Sequence, residues 1–340
     1  MSQPSASDDL KVDAASIEKS LADLWRSEKQ DGQKAITRAA LWNVVAHTWT
    51  AEDHSHATDT LGRASASVPQ RTIVIRAEPK GRDDIASWIS ANCHLLGGNR
   101  QVCSEEIAIT ASGESVEHIP PLVSALLLPD MPVAVWWLGD LPSAHHQYVE
   151  TLLEPADRLI VDSTHFDSAA DLELISRIAE DTTTAPADLS WVRLEEWRTA
   201  TAAMFDSFRM RQRLPSLRSI RVVSGGENRF GERAEGLLFV SWLHAQLGME
   251  IAFELIGGAP KRGIEEIELT FDGASATVRR DRERGVIVAT ADGEERAVDC
   301  IARVLERKTA DLIVRQLKKP ESDRVYLKAL RVARRLAPSL

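Results

Sequence analysis

Apolar residues in the first half of the chain come in short unbroken runs, with amphipathic stretches between them. Residues 73–75, 131–138 and 159–161 are such runs, the first and last flanked by polar residues within strands read over 71–76 and 157–162. Their apolar centres suit strands covered on both sides. Residues 101–111 alternate, with Cys103, Glu105, Ile107 and Ile109 on one face and Ser104, Glu106, Ala108 and Thr110 on the other. Helical spacing marks 13–29, where Ile17, Leu21 and Leu24 share a stripe, and also 116–128, 143–153 and 171–180. Segment 36–50 alternates like a strand, although Leu41, Val44 and Val45 also fit a helix. The polar stretch 51–67 reads as a loop. Strands alternating with helices imply a mostly parallel sheet flanked by helices, an α/β domain over 31–185. Before it, residues 1–30 comprise a Ser/Asp-rich segment read as disordered and then a helix.

The rhythm breaks at Thr182-Thr183-Thr184-Ala185-Pro186-Ala187, which reads as a linker. Beyond it a helix over 189–208 carries Trp191, Trp197 and Phe205. A strand at 219–223 leads into a helix over 232–247. Short strands follow at 251–255, 264–271, 274–280, 286–291 and 296–300, with Asp-Gly hairpin signals at 272–273 and 292–293. Residues 301–337 are helical and rich in Arg and Lys. This half, 186–340, is therefore expected to be an α+β domain, an antiparallel sheet with helices and a basic helical C-terminus. The fold class is α/β followed by α+β.

Composition narrows the function classes. The 340 residues carry a net charge of −10, the wrong sign for a body that replaces counterions on nucleic acid, so no nucleic-acid partner is expected. No run approaches the length of a membrane span, and Met1–Leu10 lacks the basic and apolar parts of a signal peptide. Neither a membrane partner nor export is expected. Three cysteines (Cys93, Cys103 and Cys300) without a C-x-x-C suit a reducing cytoplasm and argue against a disulfide framework. A redox pair between Cys93 and Cys103 is the weaker reading.

The search for chemistry finds scaffolds without reactive groups. The turn Gly139-Asp140-Leu141-Pro142, after a buried strand, lacks the glycine spacing and free N–H groups of a phosphate cradle. Gly226 and Gly231 have P-loop spacing, but Glu232 and Arg233 stand where Lys and Ser or Thr are needed. Arg229 and Arg233 remain candidates for gripping an anion. His54-Ser55-His56 has no thiolate partner and is read as solvated, so no metal is expected. Glu105 and Glu106 are neighbours in a strand and point to opposite faces. No catalytic residue and no cofactor are assigned. Tryptophan is abundant at nine residues, and Trp136 and Trp137 face opposite sides of one strand. Trp137, Asp140, Asp162 and Ser163 are placed at strand C-terminal ends, where open α/β sheets bind ligands. Arg158 opens its strand at the other edge and is read as structural.

Several blocks then carry a resemblance. They are Thr37-Arg38-Ala39 with Trp42-Asn43-Val44-Val45, Cys103-Ser104-Glu105-Glu106-Ile107, and Leu127-Leu128-Pro129-Asp130-Met131-Pro132-Val133 with Trp136-Trp137. Pro69-x-Arg71-x-Ile73, Asp157-Arg158-Leu159-Ile160-Val161-Asp162-Ser163, Asp188-Leu189-Ser190-Trp191 with Arg193 and Trp197, and Trp242-Leu243 with Leu247-Gly248 complete the set. Together they resemble the glucose-6-phosphate dehydrogenase assembly protein family OpcA. The resemblance implies a non-catalytic cytoplasmic protein that binds glucose-6-phosphate dehydrogenase and promotes its assembly or activation, supporting NADPH supply in the oxidative pentose phosphate pathway. With that partner in view, Trp137, Arg193 and Trp197 become candidate anchors, and Arg331, Arg334 and Arg335 a second contact. The alternative is a phosphosugar- or nucleotide-binding enzyme or sensor that uses the strand-end crevice.

Overall fold

The structure, a computed structural model, describes residues 12–30, 35–95, 100–139, 141, 146–226, 229–291, 300–303, 308–319 and 321–339. Expectations for 1–11, Asp140, the 292–293 turn and 296–299 lie outside these residues. The chain divides into two compact units, 1–136 with 147–156, and 137–146 with 157–340.

The first unit runs α1 (Ala14–Gln30), β1 (Ala35–Arg38), β2 (Trp42–Thr48), α2 (Ala51–Ala64), β3 (Gln70–Glu78), β4 (Asp84–Leu95), β5 (Arg100–Ser112), α3 (Ile119–Leu126), β6 (Val133–Trp137) and α4 (His146–Leu153). Its strands lie in the order β1-β5-β3-β2-β6. The β1–β5, β3–β5 and β2–β3 pairs are parallel. β4 runs antiparallel along β5, so β1 and β3 share the opposite edge of β5. Val44, Val45, Ile73, Val74, Ile75, Ile107 and Ile109 are buried, which is what the continuous apolar runs require.

Two adjacent carboxylates show how the strand sorts its faces. Glu105 accepts from Trp25 Nε1 at 2.6 Å and Arg71 Nε at 2.8 Å, and meets Arg38 at 2.6 Å. Arg71 reaches on to Glu18 of α1 and to the Leu126 carbonyl. Glu106 points the other way and accepts from Ser90 and Asn92 of β4.

Three features of this unit differ from the sequence reading. The supposed loop 51–67 is mostly helix α2, capped by Thr50, whose hydroxyl accepts from Asp53 N at 3.0 Å. Its buried stripe, Ala57, Thr60, Leu61 and Ala64, has helical spacing but only one large apolar residue. β4 was unread because its burial is only partial and irregular along its length. It places Cys93 directly opposite Cys103, and the two form a disulfide with Cα atoms 4.0 Å apart. The expectation of unlinked thiols is thereby corrected.

The second unit contains β7 (Arg158–Val161), α5 (Ala169–Asp181), β8 (Ala185–Asp188), α6 (Leu189–Arg193), α7 (Glu195–Met204), α8 (Phe208–Arg213), β9 (Leu217–Gly225), α9 (Phe230–Leu247), β10 (Ala252–Ala259), β11 (Gly263–Phe271), β12 (Ala274–Asp281), β13 (Val286–Ala291), β14 (Cys300–Arg303), α10 (Thr309–Leu317) and α11 (Arg324–Leu336). β7 and β8 pair in parallel, so the stretch read as a linker is in part a buried strand. The second sheet, β10-β9-β11-β12-β13-β14, is mixed: β10 joins β9 in parallel through the crossover helix α9, and the rest is antiparallel. A continuous stretch of α9, from Ala234 to His244, is buried. Gly236 lets it lie close on Val222 and Leu255, where an added Cβ would sit 3.2 Å from either side chain. The helix read over 189–208 is broken at Leu194, which ends α6 and starts α7.

Candidate functional site

Asp162 follows directly after β7, and β8 ends in Asp188. Each carboxylate caps the turn that follows it, because a short acceptor beside free N–H groups is the cheapest way to start a helix. Asp188 Oδ1 accepts from Ser190 N at 2.8 Å and also from Ser163 N at 3.1 Å, tying the two strand ends together. Asp162 Oδ1 accepts from Thr164 Oγ1 at 2.7 Å and Ser190 Oγ at 3.0 Å. Arg193, at the end of α6, grips both oxygens of Asp162 at 2.9 and 2.6 Å, the bidentate geometry that suits a guanidinium. Glu235 of α9 stands 4.0 Å from the same guanidinium.

Four charged groups in so little space cannot keep ordinary acidities. Burial pushes Asp162 up, but the hydrogen bonds and charge of Arg193 outweigh it and hold this carboxylate well below its usual range. Asp188 has no such partner, so burial and the neighbouring Asp162 charge raise it to about 6. Burial likewise pushes Glu235 up, to about 7, with Arg193 opposing and the two aspartates reinforcing. Burial pulls Arg193 down, yet Asp162 raises it above its ordinary value. The cluster therefore holds a proton that comes and goes near neutrality, on a network that fixes three chain segments.

The glycine turn before α9 is closed to phosphate by its own side chain. The Arg229 N–H donates to Glu232 Oε2 at 3.1 Å. A Cβ at Gly226 would lie 2.3 Å from the Glu232 carboxyl carbon, so that carboxylate fills the loop. An incoming phosphate would meet a negative charge where a P-loop offers a lysine. Arg229 is exposed and Arg233 half-buried on the first turn of α9.

The structure brings together three of the sequence-predicted residues, Asp162, Ser163 and Arg193. Trp137 and Trp197 are core side chains at 1% and 4% exposure and present no free surface in this state. Asp140 lies outside the described residues. Arg334 pairs with Glu173 and Glu180, and Arg335 with Glu250, so part of the basic C-terminal face is neutralised within the unit. His54 and His56 lie on helix α2, and no group of metal-binding side chains occurs among the described residues. Asp188 and Glu235 were not singled out from the sequence. A lone glutamate in the apolar run of α9 was the available signal for Glu235.

A sheet of mostly parallel strands followed by a mixed sheet defines the class: an α/β protein with helices packed on both sheets. KijD10, a 3-ketoreductase from Actinomadura kijaniata solved in complex with NADP and TDP-benzene, matches with a TM-score of 0.50 and 10% identity. That match covers 88% of this chain and 98% of the reductase, and the likeness is one of fold. Residues 61–177 match the glucose-6-phosphate dehydrogenase subunit N-terminal domain family, and residues 184–330 its C-terminal counterpart. The chain belongs to the OpcA family. A putative OxPP cycle protein OpcA of Synechocystis sp. is 28% identical over 186 residues, 54% of this chain and 38% of that protein. One from Synechococcus elongatus is 28% identical over 193 residues, 56% of this chain and 42% of that protein. The chain thus matches less than half the length of these curated relatives. Among the described residues no helix is long and apolar enough to cross a membrane.

Proposed function

We propose that this protein is a non-catalytic assembly factor that binds glucose-6-phosphate dehydrogenase and activates it, in the oxidative pentose phosphate pathway, where it would support NADPH supply. Family membership across both halves of the chain supports the partner. The observation that carries the non-catalytic reading is the Glu232 carboxylate lying in the glycine turn, where a bound phosphate would have to sit. An activator has to prefer the active form of its enzyme, since equal affinity for both forms shifts nothing. A preference of about 1.4 kcal/mol suffices for a tenfold shift.

The test is to mix the purified protein with its cognate dehydrogenase and follow turnover and particle mass together. Raised turnover with a heavier complex is expected. Absence of binding, of added mass and of any rate change would overturn the proposal.

A further inference from the structure

A second polar cluster, inside the second unit, shares Asp188 with the Asp162–Arg193 network, but its other members are explained neither by that network nor by partner binding. A cavity of about 50 Å3 is lined by Arg158, Asp188, Trp191, Arg198 and Tyr326. At roughly 10–15 Å3 per water, that space holds about four waters or one tetrahedral oxyanion head. Arg158 is 3% exposed and Tyr326 is 1% exposed, so both are placed there by the fold and not by chance at a surface.

The donors in this cavity are only partly used. Arg158 gives Nη1 to Gln316 Oε1 at 3.0 Å and Nη2 to the backbone carbonyls of Lys319 and Glu321, while its Nε meets no acceptor. The Arg198 guanidinium carbon sits over the Trp191 ring, 3.4 Å from its centroid, and its buried Nη1 meets none. The buried Tyr326 hydroxyl meets none either. One buried acceptor, Asp188 Oδ2, also lacks a donor.

Three further charges of the lining are committed elsewhere. Arg315 is paired with Glu195 at 2.5 Å. Asp323 accepts from Trp191 Nε1 and caps α11. Leaving so many buried polar atoms unmatched costs about 1–3 kcal/mol each, so such a set is expected to have a use.

We propose that this cavity binds a compact oxyanion that also carries a hydroxyl, as a hydroxy acid or a phosphorylated polyol does. The oxyanion takes the N–H groups of Arg158 and Arg198 and the Tyr326 O–H, and the ligand hydroxyl donates to Asp188 Oδ2. Trp191 walls the site. Guanidinium groups suit carboxylate and phosphate alike, so donor chemistry does not choose between these sources. This proposal stands whether or not the chain activates a dehydrogenase.

Calorimetric titration of the full chain at neutral pH with glycerol 3-phosphate, D-glycerate, inorganic phosphate and glycerol tests it. Binding of glycerol 3-phosphate or D-glycerate, tighter than inorganic phosphate and with glycerol silent, is expected; which of the two binds identifies the source. Tyr326→Phe removes only a hydroxyl without a protein partner, so it should keep the fold and weaken binding about tenfold. Arg198→Gln should abolish binding. The proposal is overturned if neither hydroxylated anion binds at up to about 10 mM, or if glycerol alone binds as well as they do. It is equally overturned if phosphate binds best, or if both variants keep wild-type affinity.

Discussion

Glu235 shows most directly what one misplaced charge does to a fold. An unfolded glutamate titrates near 4.3, and burial in α9 moves this one to about 7. Between those values the folded chain holds a proton that the unfolded chain has released. The contribution is therefore fully present below about pH 4 and is lost as pH rises through about 7. Asp188, raised to about 6, acts in the same direction over a lower window. Asp162 acts oppositely: its acidity is depressed by Arg193, so its contribution is present above the ordinary carboxylate range and fails in strong acid. Glu235→Gln keeps the shape and removes the titration. Thermal melts should show the wild type losing on the order of 4 kcal/mol between about pH 5 and pH 8, more than half of it from Glu235, and the variant losing markedly less. Parallel curves for the two proteins would show that the carboxylate is already ionised at the lower pH.

At the level of elements, the contact between the start of α9 and the turn after β7 is made by a missing side chain. A Cβ on Gly231 would lie 2.3 Å from the Thr164 carbonyl oxygen, a backbone atom that cannot swing aside. Gly231→Ala should cost on the order of 3 kcal/mol in urea unfolding, the upper end for overpacking. Gly273→Ala, in the β11–β12 turn, meets nothing within 4 Å and carries only the strain of φ +70°, so about 1–2 kcal/mol is expected. Equal losses at the two sites would mean that the close approach is relieved by movement. Much of this layer was legible in the sequence. β3, β6, β7, α5, α9 and the antiparallel hairpins follow from unbroken apolar runs, helical stripes and an Asp-Gly turn. What was not legible had a physical reason. α2 buries mainly small residues, so hydropathy does not mark it. β4 was legible in part, because Ile89 to Leu95 alternate apolar and polar residues, but no residue of the strand is fully buried. The role of Arg158 depended on α10 and the chain beyond it folding back over β7, a long-range contact that no local pattern encodes.

For the whole molecule, the candidate site was legible only as single residues. Asp162 and Ser163 could be named from a strand end, and Arg193 as an anchor once the family's partner was in view, but their union with Asp188 and Glu235 required the fold. The largest aromatic candidates turned out to be core, which leaves a partner to be recognised by exposed chain or by opening. The Cys93–Cys103 link carries a different lesson, about covalent topology. These residues flank positions 95 and 100 in adjacent strands, so a single backbone cut between Leu95 and Arg100 leaves two polypeptides that are still one molecule. With a protease recognition sequence inserted there and cleaved, denaturing electrophoresis should show one species without thiol and two with it. Two species in both lanes would mean that the sulfurs are not joined.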